Sequence, residues 1–271
     1  MPFADLHTHS TASDGVLTPE QMIAKAQEKS ISALAITDHD TLEGSRRAID
    51  ASVGTPIRVI PGVEISTRFG WRDVHLLAFF VEPSDPDLAH LFEEGRDKRR
   101  ERALKMARLL QQGGFPIDPD ELEKSGVNIN RPLLARILVD HGCVSSVDEC
   151  FRTLIGRTSP YYAEIEYPNT AEVIHLVRER GGYAFIAHPA AYRVADLIPA
   201  FAKEGMTGIE AYYTEHTPEQ TAELLEMAHE FGLAVSGGSD WHGDATHGAF
   251  LGSAGLEQEE FELFLHACDH D

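Results

Sequence analysis

Short apolar runs alternate with helical patterns at both ends of this chain, and a long helical block separates the two stretches. In the first stretch Phe3–Leu6, Ala33–Thr37, Arg58–Ile60 and His75–Phe80 read as strands, with helices over Pro19–Lys29 and Leu42–Ala51. In the last, a helix over Ala171–Arg180 precedes strands at Tyr183–Ala187 and Gly208–Tyr212, a helix at Pro218–Phe231 and a strand at Ala234–Ser236. The block between is helical from about Asp87 to Gln112, then at Asp118–Lys124, Pro132–His141 and Val147–Ile155. Such alternation predicts an α/β fold, a TIM-like βα barrel interrupted by a small helical insertion. The expected boundaries are 1–87 and 164–271 for the two parts of the barrel and 88–163 for the insertion. Thr-Pro-Glu-Gln occurs at Thr18–Gln21 and again at Thr217–Gln220, and each copy reads as a helix start. Thr is the N-cap, Pro takes the first helical position, and Gln stands three residues after the cap.

Where the polar residues fall relative to the strands carries the chemistry. The first strand ends in Asp5-Leu6-His7-Thr8-His9, with Asp14 close behind, and the second in Thr37-Asp38-His39-Asp40. The third leads through Pro61-Gly62-Val63 to Glu64, His75 lies near the next, His188-Pro189 follows another, and the last delivers Ser239-Asp240-Trp241-His242. Side chains at the carboxyl ends of barrel strands converge on one face, so separation along the chain is no obstacle to meeting. In His7-Thr8-His9 both imidazoles point to one side, because a strand alternates with period two. Carboxylates crowded there repel unless cations pair with them. Divalent metal ions, with neutral imidazole and ionised carboxylate as ligands, remove the difficulty. The absence of Cys from the set favours Mn2+, Fe2+ or Zn2+.

Composition narrows the partners. The net charge is −21, from 44 acidic and 23 basic side chains, which disfavours broad binding to duplex DNA. An anionic substrate must be received by a local positive site, from metal ions or an arginine cluster. One local inversion exists at Arg96–Arg108, where most positions read as a solvated helix face. Arg99 and Arg102, three apart, share a face that suits a phosphate. No run of 18 apolar residues is present, and the chain opens at once on a strand, so a cytoplasmic protein is expected. Cys143, Cys150 and Cys268 lack metal-site or disulfide spacing and read as packing residues. Gly113-Gly114 offers a hinge should the insertion move as a lid.

The run Asp-Leu-His-Thr-His-Ser, then Ser-Asp-Gly, Ile-Thr-Asp-His-Asp, Pro-Gly-Val-Glu-Ile-Ser, His-Pro and Gly-Gly-Ser-Asp-Trp-His resembles the polymerase and histidinol phosphatase family. The match covers nearly the whole chain outside the helical block. It implies a distorted seven-stranded βα barrel and a trinuclear centre, most often manganese. By that resemblance His7, His9, Glu64 and Asp240 surround one ion; Glu64, His75 and His188 hold a second, with Glu64 bridging; Asp14, His39 and His242 hold the third. Asp240, His39, His242 and Glu64 are the catalytic residues it implies.

Within the family the chain is most similar to small stand-alone phosphatases with a helical insertion. Those act on small nucleotides, notably nucleoside 3′,5′-bisphosphates, and some trim short oligoribonucleotides. A metal-bound water deprotonated near neutral pH is then expected to attack phosphorus in line. No G-x-S-x-G motif points instead to a covalent enzyme. Arg131, heading Arg-Pro-Leu-Leu-Ala-Arg, matches the start of a family motif and is the foremost phosphate-binding candidate. Two positions depart from the family pattern: Leu133 replaces a His, and His188-Pro189-Ala190-Ala191-Tyr192-Arg193 replaces His-Pro-Gly followed by Arg or Leu. Arg193 is a candidate to replace the missing Arg. The rival readings are a histidinol-phosphate phosphatase, an exonuclease on DNA ends, and a metal- and nucleotide-binding module without turnover.

Overall fold

Both Thr-Pro-Glu-Gln segments start helices in the computed structural model, which describes residues 2–82, 84–124, 129–243 and 249–270. Helix α1 (Pro19–Glu28) begins at Thr18, whose side chain accepts the Gln21 N–H while the Gln21 side chain accepts the Thr18 N–H. Thr217 and Gln220 repeat this reciprocal cap ahead of a second helix, Pro218–Phe231, which Gly232 ends in the left-handed conformation.

Strands β1 (Ala4–Asp5), β2 (Ala33–Leu34) and β3 (Arg58–Val59) form a parallel sheet, with α1 and α2 (Glu43–Ser52) as its crossovers. The chain continues from β3 into β4 (Gly62–Phe69), turns at Gly70-Trp71, and returns antiparallel as β5 (Arg72–Phe79). Gly70, at φ +61, supplies the positive angle that a two-residue hairpin of this kind needs at its first position. After the helical block, α7 (Thr170–Glu179) leads into β6 (Tyr183–Ile186), which pairs antiparallel with β5. Strands β7 (Gly208–Tyr213) and β8 (Ala234–Gly238) follow in parallel, linked by the Pro218–Phe231 helix, here α9.

Backbone hydrogen bonds join the two sheets at both edges. Leu6 N donates to Gly237 O and Asp240 N to His7 O at 3.0 and 2.8 Å, setting β1 beside β8. Glu64 N donates to Thr37 O at 3.1 Å, setting the extension of β2 beside β4. With β3 and β4 as one interrupted strand, the strands follow one another around a distorted, TIM-like α/β barrel. The distortion is the reversed β5: a hairpin stands where a helical crossover would otherwise restore the parallel direction. Strand β4 was not expected from the sequence. It begins at Gly62, just beyond the interruption at Ile60-Pro61, and places Glu64 inside a strand rather than at an end.

Contact density divides the chain into two units, Met1–His90 with Tyr167–Asp271, and Leu91–Glu166, so the division falls within α3 (Pro86–Gln112). In the barrel unit, Leu6, Ala35, Leu77, Phe79 and Phe185 are fully buried with Phe264 of α10 (Gln258–Ala267), a helix the sequence reading did not include. In the other unit, Ala103, Met106, Ala107 and Leu110 form the buried stripe of α3, at the i, i+3, i+4, i+7 spacing of one helix face. They pack with Leu134, Ala135 and Leu138 of α5 (Arg131–Asp140), and Cys150 of α6 (Val147–Thr153) joins the same core as an unbonded thiol. The short helix α4 (Pro119–Lys124) contributes Leu122, and α8 (Ile198–Lys203) contributes Ile198 and Phe201 to the barrel unit. No helix of the described residues is long and apolar enough to cross a membrane.

Closure of the ring depends on Gly238. A Cβ there would stand 2.3 Å from the His7 backbone nitrogen, too near for any rotamer to relieve. Gly238→Ala is expected to cost about 1–3 kcal/mol or more, since the clash is with backbone. Urea denaturation of both proteins reads this directly, and an unchanged midpoint would show that β1 and β8 do not meet so closely.

Candidate metal centre

The strand ends carry their ligands on backbone that is held from beneath. Asp5 is fully buried and accepts N–H groups from Ser239 and Gly252 at 2.9 and 2.8 Å, tying β1 to the segment after β8. Burial pushes its carboxyl up to about 6, against the lowering effect of those hydrogen bonds. Thr8 turns outward and donates to Ala35 O at 2.7 Å, so His7 and His9 both turn inward. Asp38 accepts the Ser10 N–H, the Ser10 hydroxyl and the Ser13 hydroxyl at 2.7, 2.7 and 2.6 Å, fixing the turn that presents Asp14. Gly44 makes room for this: a Cβ on it would lie 1.8 Å from Asp38 Oδ2.

Asp40, His188 and Asp240 adopt positive φ of 48°, 34° and 54° without being glycine. Such angles are uncommon outside Gly and gather where surrounding structure imposes them for a purpose. Asp40 is held by the Ser66 N–H at 3.0 Å.

Glu64 is the centre of the arrangement. Its Oε2 lies 3.3, 3.3 and 3.0 Å from ring nitrogens of His7, His9 and His39. Its Oε1 lies 2.7 and 3.1 Å from His75 and His188. Asp240 Oδ1 stands 3.3 Å from His7 and 3.0 Å from His9, and Asp14 Oδ1 stands 3.3 Å from His242. Three overlapping groups result, each with ligand atoms within 4.8 Å of one another: His7, His9, Glu64 and Asp240; His9, Asp14, His39 and His242; His39, Glu64 and His75. His9 therefore belongs to two groups, and His39 joins Glu64 and His75 as well as Asp14. His188 meets Glu64 on the same oxygen as His75. His75 reaches the site from the middle of the reversed strand β5, so the strand-end rule does not describe it.

The donor set suits divalent cations. Among the described residues, His7 Nε2, both ring nitrogens of His9, His188 Nδ1, Glu64 Oε2 and Asp240 Oδ1 are buried without a hydrogen bond. Orphaned polar atoms of this number are costly unless an ion completes them. The electrostatics agree. Burial alone would raise Glu64, but His39, His75 and His7 hold it well below the carboxylate range, and His7, His9 and His242 do the same for Asp240. Burial would lower His9, yet Asp240 and Glu64 raise it to about 10, whereas burial prevails at His39 and pulls it down to about 3. The site draws positive charge onto its imidazoles, and a metal cation supplies that charge while leaving imidazole neutral to ligate.

The arginines singled out in the sequence are placed variously. Arg193 is exposed, in the left-handed conformation, with its carbonyl accepting from Arg72. In the second unit Arg102 is buried and Arg99 half-buried, so they do not present one open face. Arg131 lies with its guanidinium 5.3 Å from the centre of the Phe151 ring.

Three side chains at the site were not anticipated. Glu210 of β7 is fully buried and accepts from His7 Nδ1 and the His188 N–H. Tyr213 donates its hydroxyl to Asp240 Oδ2 at 3.0 Å, and burial together with Asp240 raises its phenol so that it stays a donor. Tyr192 sets its ring 4.2 Å from His188 and 5.2 Å from His75. An acidic residue inside the apolar strand Gly208–Tyr213 was the available signal for Glu210; nothing local marks the two tyrosines.

A crystal structure described as a metal-dependent phosphoesterase from Bifidobacterium adolescentis superposes with a TM-score of 0.89 at 32% identity, over 97% of this chain and 96% of that one. Barrel and ligand set together are those of a metal-dependent phosphoester hydrolase. The PHP domain model matches residues 5–239, and the chain belongs to that family. It is 33% identical to a 5′-3′ exoribonuclease of Haemophilus influenzae, over 88% of this chain and 89% of the relative. It is 32% identical to a 3′,5′-nucleoside bisphosphate phosphatase of Chromobacterium violaceum, over 92% and 90% respectively.

Metal binding at such a site stabilises the fold by mass action. Mn2+ at about 100 times its Kd is expected to add about 2.7 kcal/mol, reversed by chelator. Thermal unfolding with and without Mn2+ checks this, and Glu64→Gln, which removes the shared carboxylate's charge and one of its two acceptor oxygens, is expected to lose most of the shift.

Proposed function

We propose that this chain is a phosphatase for small nucleotides, above all nucleoside 3′,5′-bisphosphates, that also trims short oligoribonucleotides from the 5′ end. The observation that carries the reading is the convergence of five imidazoles on Glu64, with its overlapping groups of ligands. That arrangement supports three divalent ions, preferably Mn2+, with Fe2+ and Zn2+ as chemically suited alternatives. Glu64 with His7, His9 and Asp240 would hold one ion, Glu64 with His75 and His188 a second, and Asp14, His39 and His242 a third. Bound ions of this kind acidify a water and neutralise the phosphoryl oxygens.

The chain's own residues then divide the work. Asp240, His39, His242 and Glu64 line the reaction centre, and the rigid backbone beneath them fixes where an incoming phosphate sits. For a chain of net charge −21, a local concentration of cations is what makes an anionic substrate welcome. Arg131 is the leading candidate for a second phosphate, with Arg99, Arg102 and Arg193 as further candidates. The named activities of two relatives that span nine-tenths of their length with this chain support the nucleotide class. A cytoplasmic setting suits those substrates.

Phosphate release by Mn2+-loaded protein tests the assignment on adenosine 3′,5′-bisphosphate, AMP, histidinol phosphate and a short oligoribonucleotide. The bisphosphate is expected to lead, and His39→Asn to lower its turnover by about 100-fold or more. Fastest release from histidinol phosphate would instead favour the rival phosphatase reading.

Arg131→Ala is expected to raise KM by about tenfold with little change in kcat, the loss of one charge-assisted contact. An unchanged KM would remove Arg131 from substrate binding.

A further inference from the structure

Strand β7 supplies no member of the three ligand groups among the described residues, yet two of its side chains hold ligands that other strands present. Glu210 and Tyr213 are three positions apart, and simple alternation would send them to opposite faces. The pairing with β8 shows why they share one. Glu210 stands opposite Ser236, Tyr212 opposite Gly237 and Tyr213 opposite Gly238, so Ala211 is an extra residue on the β7 side. This bulge shifts the alternation by one and turns Tyr213 onto the side of Glu210. The Ala211 carbonyl accepts from His216 Nδ1 at 3.0 Å and Thr221 Oγ1 at 3.4 Å, so the carbonyl of the extra residue is satisfied.

Each contact fixes something definite. A carboxylate only accepts, so the 2.9 Å contact places the His7 proton on Nδ1. Nε2 then carries the lone pair, and that atom faces Glu64 Oε2 and Asp240 Oδ1, both at 3.3 Å. The other Glu210 oxygen accepts the His188 N–H at 2.7 Å, holding the backbone at φ 34° while His188 Nε2 reaches Glu64. Tyr213 engages Asp240 Oδ2, leaving Oδ1 turned toward His7 and His9.

We infer that Glu210 and Tyr213 are positioning residues of the metal centre, brought to one face by the bulge at Ala211, with Glu210 setting the tautomer of His7 and the backbone of His188 and Tyr213 setting Asp240. This rests on the reading of the cluster as a metal centre. Neither residue touches substrate in this role; each acts through a ligand.

Glu210→Gln is the direct test. The amide offers one acceptor and one donor where two acceptors stood. With its oxygen on the His188 N–H, its NH2 meets His7 Nδ1, which bonds to it only if the proton moves to Nε2. That tautomer has no lone pair for an ion. Calorimetric titration of the chelated full-length protein with Mn2+ is expected to show affinity about 10–100-fold lower than wild type. Tyr213→Phe, which deletes only a hydroxyl, is expected to lower it about tenfold. Metal-free melting temperatures close to wild type would separate this effect from misfolding, and Tyr213→Phe decides the matter if Glu210→Gln does not fold. Wild-type Mn2+ affinity in both folded variants would overturn the inference and leave the metal centre intact. No Mn2+ binding by wild type would overturn both.

Discussion

A carboxylate buried among five imidazoles organises this molecule. Glu64 is almost completely inaccessible, and the five histidines around it come from four separate segments, with His7 and His9 sharing the end of β1. In water such groups would go their own ways; in a low-dielectric interior their mutual charges decide the geometry. The contrast between His9, drawn up by its carboxylates, and His39, pulled down by burial, shows how unevenly one cluster distributes charge. Cations resolve that unevenness without asking any one imidazole to hold a proton.

The surrounding fold absorbs the cost. Residues in left-handed backbone sit where strands hand ligands to the centre, and glycines stand where a methyl would strike the ligand-bearing chain. Asp5 and Asp38 are buried acids that accept from N–H and hydroxyl groups of the loops around the centre, and Asp40 accepts the Ser66 N–H of β4. Their role is to hold the ligand-bearing backbone in place, the kind of support that keeps a site accurate to fractions of an ångström.

Much of this was legible in the sequence. The repeated Thr-Pro-Glu-Gln announced two helix starts because capping is local chemistry, and His7-Thr8-His9 announced a shared face because strand alternation is local geometry. Strand β4 escaped because Glu64, Ser66 and Arg68 break the apolar pattern, and only the pairing with β5 defines it. Helix α10 was missed although Phe261, Phe264 and Leu265 carry helical spacing; their acidic neighbours diluted the apolar signal. The bulge at Ala211 was beyond reach, because an extra residue is defined only against the strand beside it. Within the basic run of α3, composition alone does not tell that Arg102 is turned inward.

Ring closure between β1 and β8 has a consequence for how the protein comes into being. Asp5 bonds to Ser239 and Gly252, partners 234 and 247 residues away, and the ligand groups span His7 to His242. A nascent chain emerging from the ribosome has the first histidines exposed long before Asp240 and His242 are made. Domains generally fold as units, and contacts this distant form late. The two ligand groups that draw on Asp240 or His242 are therefore complete only once β8 and the segment after it are in place, whereas His39, Glu64 and His75 are all supplied by the first part of the barrel.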